Sequence, residues 1–214
     1  MIIPYAFMKK IGGIPTANQI LDLDFNIAAS VFSNTAGTTL ANDGVDIQRV
    51  NDQSGNNNFF TVALDTSDEF KYESSAEPFF AKRQSAQHLG ADDVTDFNIS
   101  SSEAVTWYFV IRRVSTEDSF DHLLHMGEDY SWDNGYGIQL SSQENLQAWL
   151  GNEANSLGAQ AVHPSGTTSN VIQTIAAVFD AQNKTVKLQL DAQTIYSDTF
   201  TGSYPSPPAG PECV

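Results

Sequence analysis

The sequence predicts an all-β protein, a two-sheet antiparallel sandwich of the jelly-roll kind, and three observations carry that expectation. Apolar residues recur mostly with a period of two. Clusters of Gly, Asn, Asp, Ser and Pro punctuate the chain at short intervals. No long stretch carries the 3.6-residue apolar stripe of a helix, and no repeat of solenoid or propeller period occurs. Hydrophobic residues make up 41% of the 214, which is enough for one domain with a real core.

The chain opens with Met1-Ile2-Ile3-Pro4-Tyr5-Ala6-Phe7-Met8-Lys9-Lys10, apolar and then basic. A secretory signal has the opposite order and a longer apolar run, so synthesis in a cytoplasm is expected. Residues 1–16 read as a docking arm or as a first strand. Within them Ile11-Gly12-Gly13-Ile14-Pro15 reads as a flexible joint, because no Lys and Ser/Thr follow as a phosphate loop requires. No stretch reaches the roughly 18 apolar residues of a membrane span.

The body is expected over residues 17–203. Leu21, Leu23, Phe25 and Ile27 alternate with Asp22, Asp24 and Asn26, the pattern of a half-buried strand. Shorter candidates follow at Phe59–Leu64, Leu123–Met126, Gly137–Leu140 and Leu146–Leu150, and Val186, Leu188 and Leu190 alternate with Lys187 and Gln189. Val105–Val110 and Val171–Phe179 are more continuously apolar and read as central strands covered on both faces. Glu153–Gln160 reads as a brief helix or an irregular loop, and Ser102-Glu103-Ala104 as the start of a short turn. The breaks fall at Asn42-Asp43-Gly44, Ser54 to Asn58, Asp133-Asn134-Gly135, Pro164-Ser165-Gly166 and Asp180 to Asn183, residues that tolerate positive φ or bond their own backbone.

Residues 204–214 form a tail with Pro205, Pro207, Pro208 and Pro211, which lack the donor a sheet ladder requires. Its Cys213 is the only thiol, so no internal disulfide forms and the core alone stabilises the fold.

Charge narrows the function. There are 26 Asp and Glu against 10 Lys and Arg, a formal net charge of −16. Phosphate contacts need clustered Lys and Arg, so nucleic acid is not an expected partner, nor is an anionic membrane surface.

Three segments together carry a resemblance. Arg49-Val50-Asn51-Asp52-Gln53-Ser54-Gly55-Asn56-Asn57-Asn58-Phe59 resembles the "W-x-D-x-S-G-N-x-N" loop of concanavalin A-like (laminin-G-like) domains, with Val50 where an aromatic usually precedes the loop. Thr106 to Arg112 resembles the long strand that follows a variable loop. Ala177 to Asp180 with Val186 to Asp191 resembles the family's late hairpin, with Ala192 where Gly is usual. The resemblance spans roughly residues 20 to 200, and such domains occur in tailed-bacteriophage structural proteins. It implies a concanavalin A-like jelly roll used for binding or packing, and fold analogy alone does not fix function.

A glycosidase needs an acid and a nucleophile roughly 5 Å apart. No Glu-x-Asp-x-Glu run occurs, and Glu117-Asp118 and Glu128-Asp129 lack strand alternation, so no catalytic residues are assigned. His122 and His125 at that spacing face opposite sides of a regular strand and do not converge on one metal ion; His88 and His163 stand apart. Two acidic groups, Asp43/Asp46/Asp52 and Glu128/Asp129/Asp133, offer hard oxygen ligands suited to calcium but lack EF-hand spacing. Tyr130, Trp132, Asp133, Asn134 and Tyr136 gather in one Gly-containing segment, an aromatic platform beside amide and acid that suits a pyranose. Trp107 and Trp149 fall within strand patterns.

The function expected is therefore a non-enzymatic virion protein: a head decoration, a knob or fibre, or a tail accessory. Its partners are other capsid or tail proteins held through the arm, and further copies of itself. A host surface glycan is a possible ligand, and a free-standing carbohydrate-binding module is the alternative reading.

Overall fold

The structure is a computed structural model, and it describes residues 23–24, 27–55, 57, 59–62, 71–74, 80–82, 89–91, 99, 102–112, 121–127, 135–140, 145–152, 156–168, 170–203 and 212–213. After a three-residue 3-10 turn, Ala28–Ser30, every element in them is a strand. In chain order these are β1 (Val31–Phe32), β2 (Arg49–Asn51), β3 (Phe59–Val62), β4 (Lys71–Glu73), β5 (Phe80–Lys82), β6 (Leu89–Ala91), β7 (Ala104–Arg112) and β8 (Asp121–Gly127). There follow β9 (Gly135–Leu140), β10 (Leu146–Asn152), β11 (Ser156–His163), β12 (Ile172–Asp180), β13 (Thr185–Leu190), β14 (Tyr196–Thr199) and β15 (Glu212–Cys213).

Among the described residues all pairings between these strands are antiparallel. One sheet runs β1-β2-β3-β6-β15-β8-β9-β10-β11, a second runs β14-β13-β12-β7, and β4-β5 form a separate ribbon. The chain is thus all-β, with two antiparallel sheets packed face to face over one core. The arm at 1–16 lies outside the described residues.

Alternation builds that core. On the small sheet Trp107, Phe109, Ile111, Ile175, Ala177, Phe179, Val186, Leu188 and Leu190 point inward and are buried. On the large sheet Val50, Phe60, Leu124, Tyr136, Ile138, Leu140, Ala148 and Leu150 meet them. Val50 is wholly buried.

Four expectations need correction. Val105–Val110 and Val171–Phe179 do lie in strands, but β7 and β12 bury alternate residues only, and Tyr108 and Ile172 keep 37% and 49% of their surface exposed. Residues 156–160 are neither helix nor loop. They begin β11, where Gly158 admits the backbone: a Cβ there would stand 2.7 Å from Leu150 O and 3.1 Å from Phe200. The C-terminal segment is not wholly outside the ladders, because Glu212 and Cys213, beyond the last proline, pair with β6 and β8. The regular strand expected across His122 and His125 is interrupted. A bulge between His122 and Leu124 resets the register, so His122 pairs with Gln139 and His125 with Gly137, two positions of the same parity on β9.

Two backbone positions generate predictions. A Cβ on Gly137 would lie 2.7 Å from Leu124 O and from two atoms of the Trp149 indole. Gly137→Ala is expected to cost about 2–3 kcal/mol, the range of overpacking, read from urea unfolding with the m-value unchanged. After β13, Asp191 and Ala192 both have positive φ, 49° and 56°, and Gln193 N bonds Leu190 O at 2.9 Å. That is the pattern of a type I′ turn, with alanine where glycine is unstrained. Ala192→Gly is expected to raise stability by about 0.5–1 kcal/mol, the left-handed penalty less glycine's entropy in the unfolded chain. A higher urea midpoint is the readout.

Candidate functional site

Register fixes which connections share an end of the sandwich. Asn51 pairs with Phe59, Thr61 with Gly90, Cys213 with both Gly90 and His125, Gly127 with Gly135, Leu150 with Tyr136 and Gly151 with Leu157. Reading across the ladders, Asn51, Phe59, Gly127, Gly135 and Gly151 stand nearly level. The β2–β3 turn and the flanks of the 128–134 connection therefore open at one end, with the β10–β11 hairpin beside them. β3 and β8 are three ladder steps apart, about 14 Å. The β12–β13 turn comes to the same end, because Phe200 lies against Gly158 and its N–H bonds Lys184 O at 3.1 Å.

The β2–β3 turn is built around Asp52. Its Oδ1 accepts the Ser54 N–H at 2.8 Å and its Oδ2 accepts the Ser54 hydroxyl, an Asx turn that starts the reversal. Gly55 and Asn57, with φ of 95° and 59°, supply the left-handed steps. Arg49 braces the strand side: its Nε donates to Asn51 Oδ1 at 2.6 Å, and its guanidinium carbon sits 3.8 Å over the Phe59 ring. Arg49, Asn51, Asp52, Ser54, Gly55, Asn57 and Phe59 thus contribute to a locally bonded turn between β2 and β3.

The β12–β13 turn has the same logic. Asp180 Oδ1 accepts Asn183 N–H at 2.8 Å and Oδ2 accepts Asn183 Nδ2 at 2.8 Å. The side-chain bond from Asn183 is the chief cause that holds the Asp180 carboxyl below the ordinary carboxylate range, with the backbone bonds and Lys187 adding to it.

Of the proposed sugar-binding residues, Tyr130, Trp132, Asp133 and Asn134 lie outside the described residues. Tyr136 does not belong to a surface platform. It is wholly buried in β9, its ring 4.6 Å from that of Phe179 across the sandwich and its hydroxyl 3.4 Å from Trp107 Nε1, which donates to it. As the second residue of its strand, it takes the inward parity.

Asp43, Asp46 and Asp52 do not converge as calcium ligands. Asp46 pairs with Lys71 at 3.3 Å, Asp43 accepts the Ser74 hydroxyl at 3.5 Å, and Asp52 bonds Ser54. Among the described residues no group of three His, Cys, Asp or Glu side chains is placed to hold a metal ion. Glu117, Asp118, Glu128, Asp129 and Asp133 lie outside them. Close to Asp43, the Tyr72 hydroxyl titrates above its ordinary value, through burial first and then the charges of Asp24 and Asp43.

Sequence reasoning missed a row of amides. On the outer side of the large sheet, Gln139 and Gln160 both donate to Gln147 Oε1, at 3.0 and 2.9 Å. Trp149 lies beside them over Gly137, 1% exposed. Gln139 is also wholly buried, and among the described residues its Oε1 has no hydrogen-bond partner. The signal was present, since glutamine fills the polar phase of β9 and β10, but nothing in sequence says that this phase is covered.

The Asp180 bonds predict a pH effect of definite sign. A depressed carboxyl contributes stability that is present above its unfolded value near ~4 and is lost as pH falls through the lower, folded value. The Asp180 carbon resonance in an NMR titration is expected below the ordinary range in the parent and to return upward in Asn183→Ala.

Compared with known proteins, the chain matches no family model, and it matches none of the curated proteins.

Proposed function

We propose that this chain is a non-enzymatic structural protein of a tailed-bacteriophage virion, built on a concanavalin A-like jelly roll. It serves as a head decoration, a knob or fibre, or an accessory of the tail. The observation that carries the reading is the two-sheet antiparallel sandwich, with the resemblance-bearing loop of residues 49–59 placed on one of its hairpins. Three segments in family order support it: the β2–β3 hairpin, the long strand β7 and the β12–β13 hairpin lie in a single fold. The sequence offers no paired carboxylates for glycan cleavage, which makes the reading a binding and packing role rather than a catalytic one. An acidic body with an apolar N-terminal segment suits a module that docks by one extremity and keeps a charged surface in solvent.

A second reading, recognition of a host glycan, is favoured by the gathering of several connections at one end of the sheets. The segment holding Tyr130, Trp132, Asp133 and Asn134 departs from and returns to that end, at Gly127 and Gly135. Indole and amide chemistry there suits a pyranose ring and its hydroxyls.

Quantitative mass spectrometry of purified phage particles tests the first reading: the chain is expected at a fixed copy number per particle, and its absence from intact particles sinks the proposal. Deleting residues 1–16 is expected to abolish incorporation while the sandwich still folds. For glycan recognition, the parent protein is expected to give signals on a glycan array that Trp132→Ala removes; a silent parent rejects that reading without touching the first.

A further inference from the structure

We infer that the outer face of the four-stranded sheet is a self-association surface, covered in solution by the same face of a second copy of this chain about a two-fold axis. The inference stands independently of the virion reading, since it rests on the exposed side of β14-β13-β12-β7 alone.

Parity defines the face. β7 presents Thr106, Tyr108 and Val110 outward, and β12 sets Val178, Ala176 and Thr174 in register beside them, with Ile172 beside Arg112. This is why both segments read from sequence as strands buried on two sides, although only their inner residues are buried. Among the described residues, four of the seven large exposed apolar side chains, Tyr108, Val171, Ile172 and Ile195, belong to this sheet or to the lip where its connections turn. The apolar part of the face is a strip on β7 and β12, Ala104, Tyr108, Val110, Ile172, Ala176 and Val178, interrupted by Thr106 and Thr174, and such a strip on an open sheet face marks a surface that a partner covers.

Charge then selects the occupant. The chain carries −16 overall, so two copies repel unless they meet where carboxylates are scarce. Within the four strands the outward residues include one acid, Asp180 at the end of β12, against the bases Lys187 and Arg112. The other acid, Asp198, takes the inward parity and bonds Gln160 N on the large sheet at 2.9 Å. Asp180 and Arg112 stand at opposite ends of adjacent strands. Stacking two faces with the ends exchanged therefore brings the acid of each copy towards the base of the other, a self-complementary arrangement that a two-fold requires. The size also fits. Strands of nine, nine, six and four residues cover roughly 450 Å² in projection. With side-chain relief and the apolar lip, the accessible area is on the order of the ~800 Å² each partner gives to a standard interface.

Sedimentation equilibrium of the full chain tests this. The parent is expected at twice the 23.3 kDa chain mass at micromolar concentration. Ala176→Lys, at the centre of the face, is expected to weaken the dimer by about 30-fold or more, the usual cost of an unpaired charge in an interface core. Gln182→Lys, on the exposed β12–β13 turn, is expected to leave it intact. Circular dichroism checks that both variants are folded. Should Ala176→Lys fail to fold, hydroxyl-radical footprinting of the parent decides: Tyr108 is expected to become protected as concentration rises through the association range. A parent that stays monomeric overturns the inference. So does a dimer indifferent to Ala176→Lys, or a Tyr108 labelled equally at all concentrations.

Discussion

The meeting of Tyr136 with Phe179 sets the geometry of this molecule. The two rings come from opposite sheets and lie 4.6 Å apart, and Trp107 donates its indole N–H to the tyrosine hydroxyl at 3.4 Å. A buried phenol costs free energy unless its polar tip is bonded, and here the other layer bonds it. Once these residues are locked inward, the period of two dictates every other position on β7, β9 and β12. A slip of one residue would turn Ile175, Ala177 and Phe179 to solvent and bring Thr174, Ala176 and Val178 inward. The sandwich therefore has little freedom of register, and its turns must fall where the ladders end.

Edges are the second demand on such a fold, since an open strand invites pairing with another chain. At the seam of β11 and β14 the protein answers with a side chain. Asp198 reaches across to the outward-pointing N–H of Gln160, and Phe200 closes over Gly158 beside it. His163 lies edge-on to Tyr196 further along the same seam, at 4.9 Å. Two strands of different sheets are thus joined without a ladder between them. This arrangement needs glycine at 158, because any Cβ would meet both the Leu150 carbonyl and the closing ring.

Much of this was legible in the residues, and the remainder has identifiable causes. Val186, Leu188 and Leu190 announced β13 because their wet neighbours, Lys187 and Gln189, really are at the surface. β11 was not legible: Gly158, Ala159 and Ala161 have little β propensity, and what makes them a strand is pairing with β10 and the approach of Phe200. Tyr136 was grouped with its loop because composition says what a segment contains and not where its inward phase begins. The register shift in β8 between His122 and Leu124 is not legible for a related reason, since a bulge is one extra residue with no sequence mark of its own. Asp52, Ser54 and Gly55 were readable as a turn, since their chemistry is local.

Locality also explains the acidity. Several of the described carboxylates are engaged in structural bonds near the strand ends. Asp52 holds Ser54, Asp180 holds Asn183, Asp191 accepts Thr174 N at 2.7 Å and Gln173 Nε2 at 2.7 Å, and Asp198 holds Gln160. An ionised carboxylate accepts at two oxygens and so serves backbone N–H groups that a ladder leaves behind where it stops. A fold of short strands has many such stops, and aspartate accumulates at them. Among the described residues these carboxylates stand at turns and at the seam, and Asp180 is the one acid on the outward phase of the small sheet, with Lys187 and Arg112.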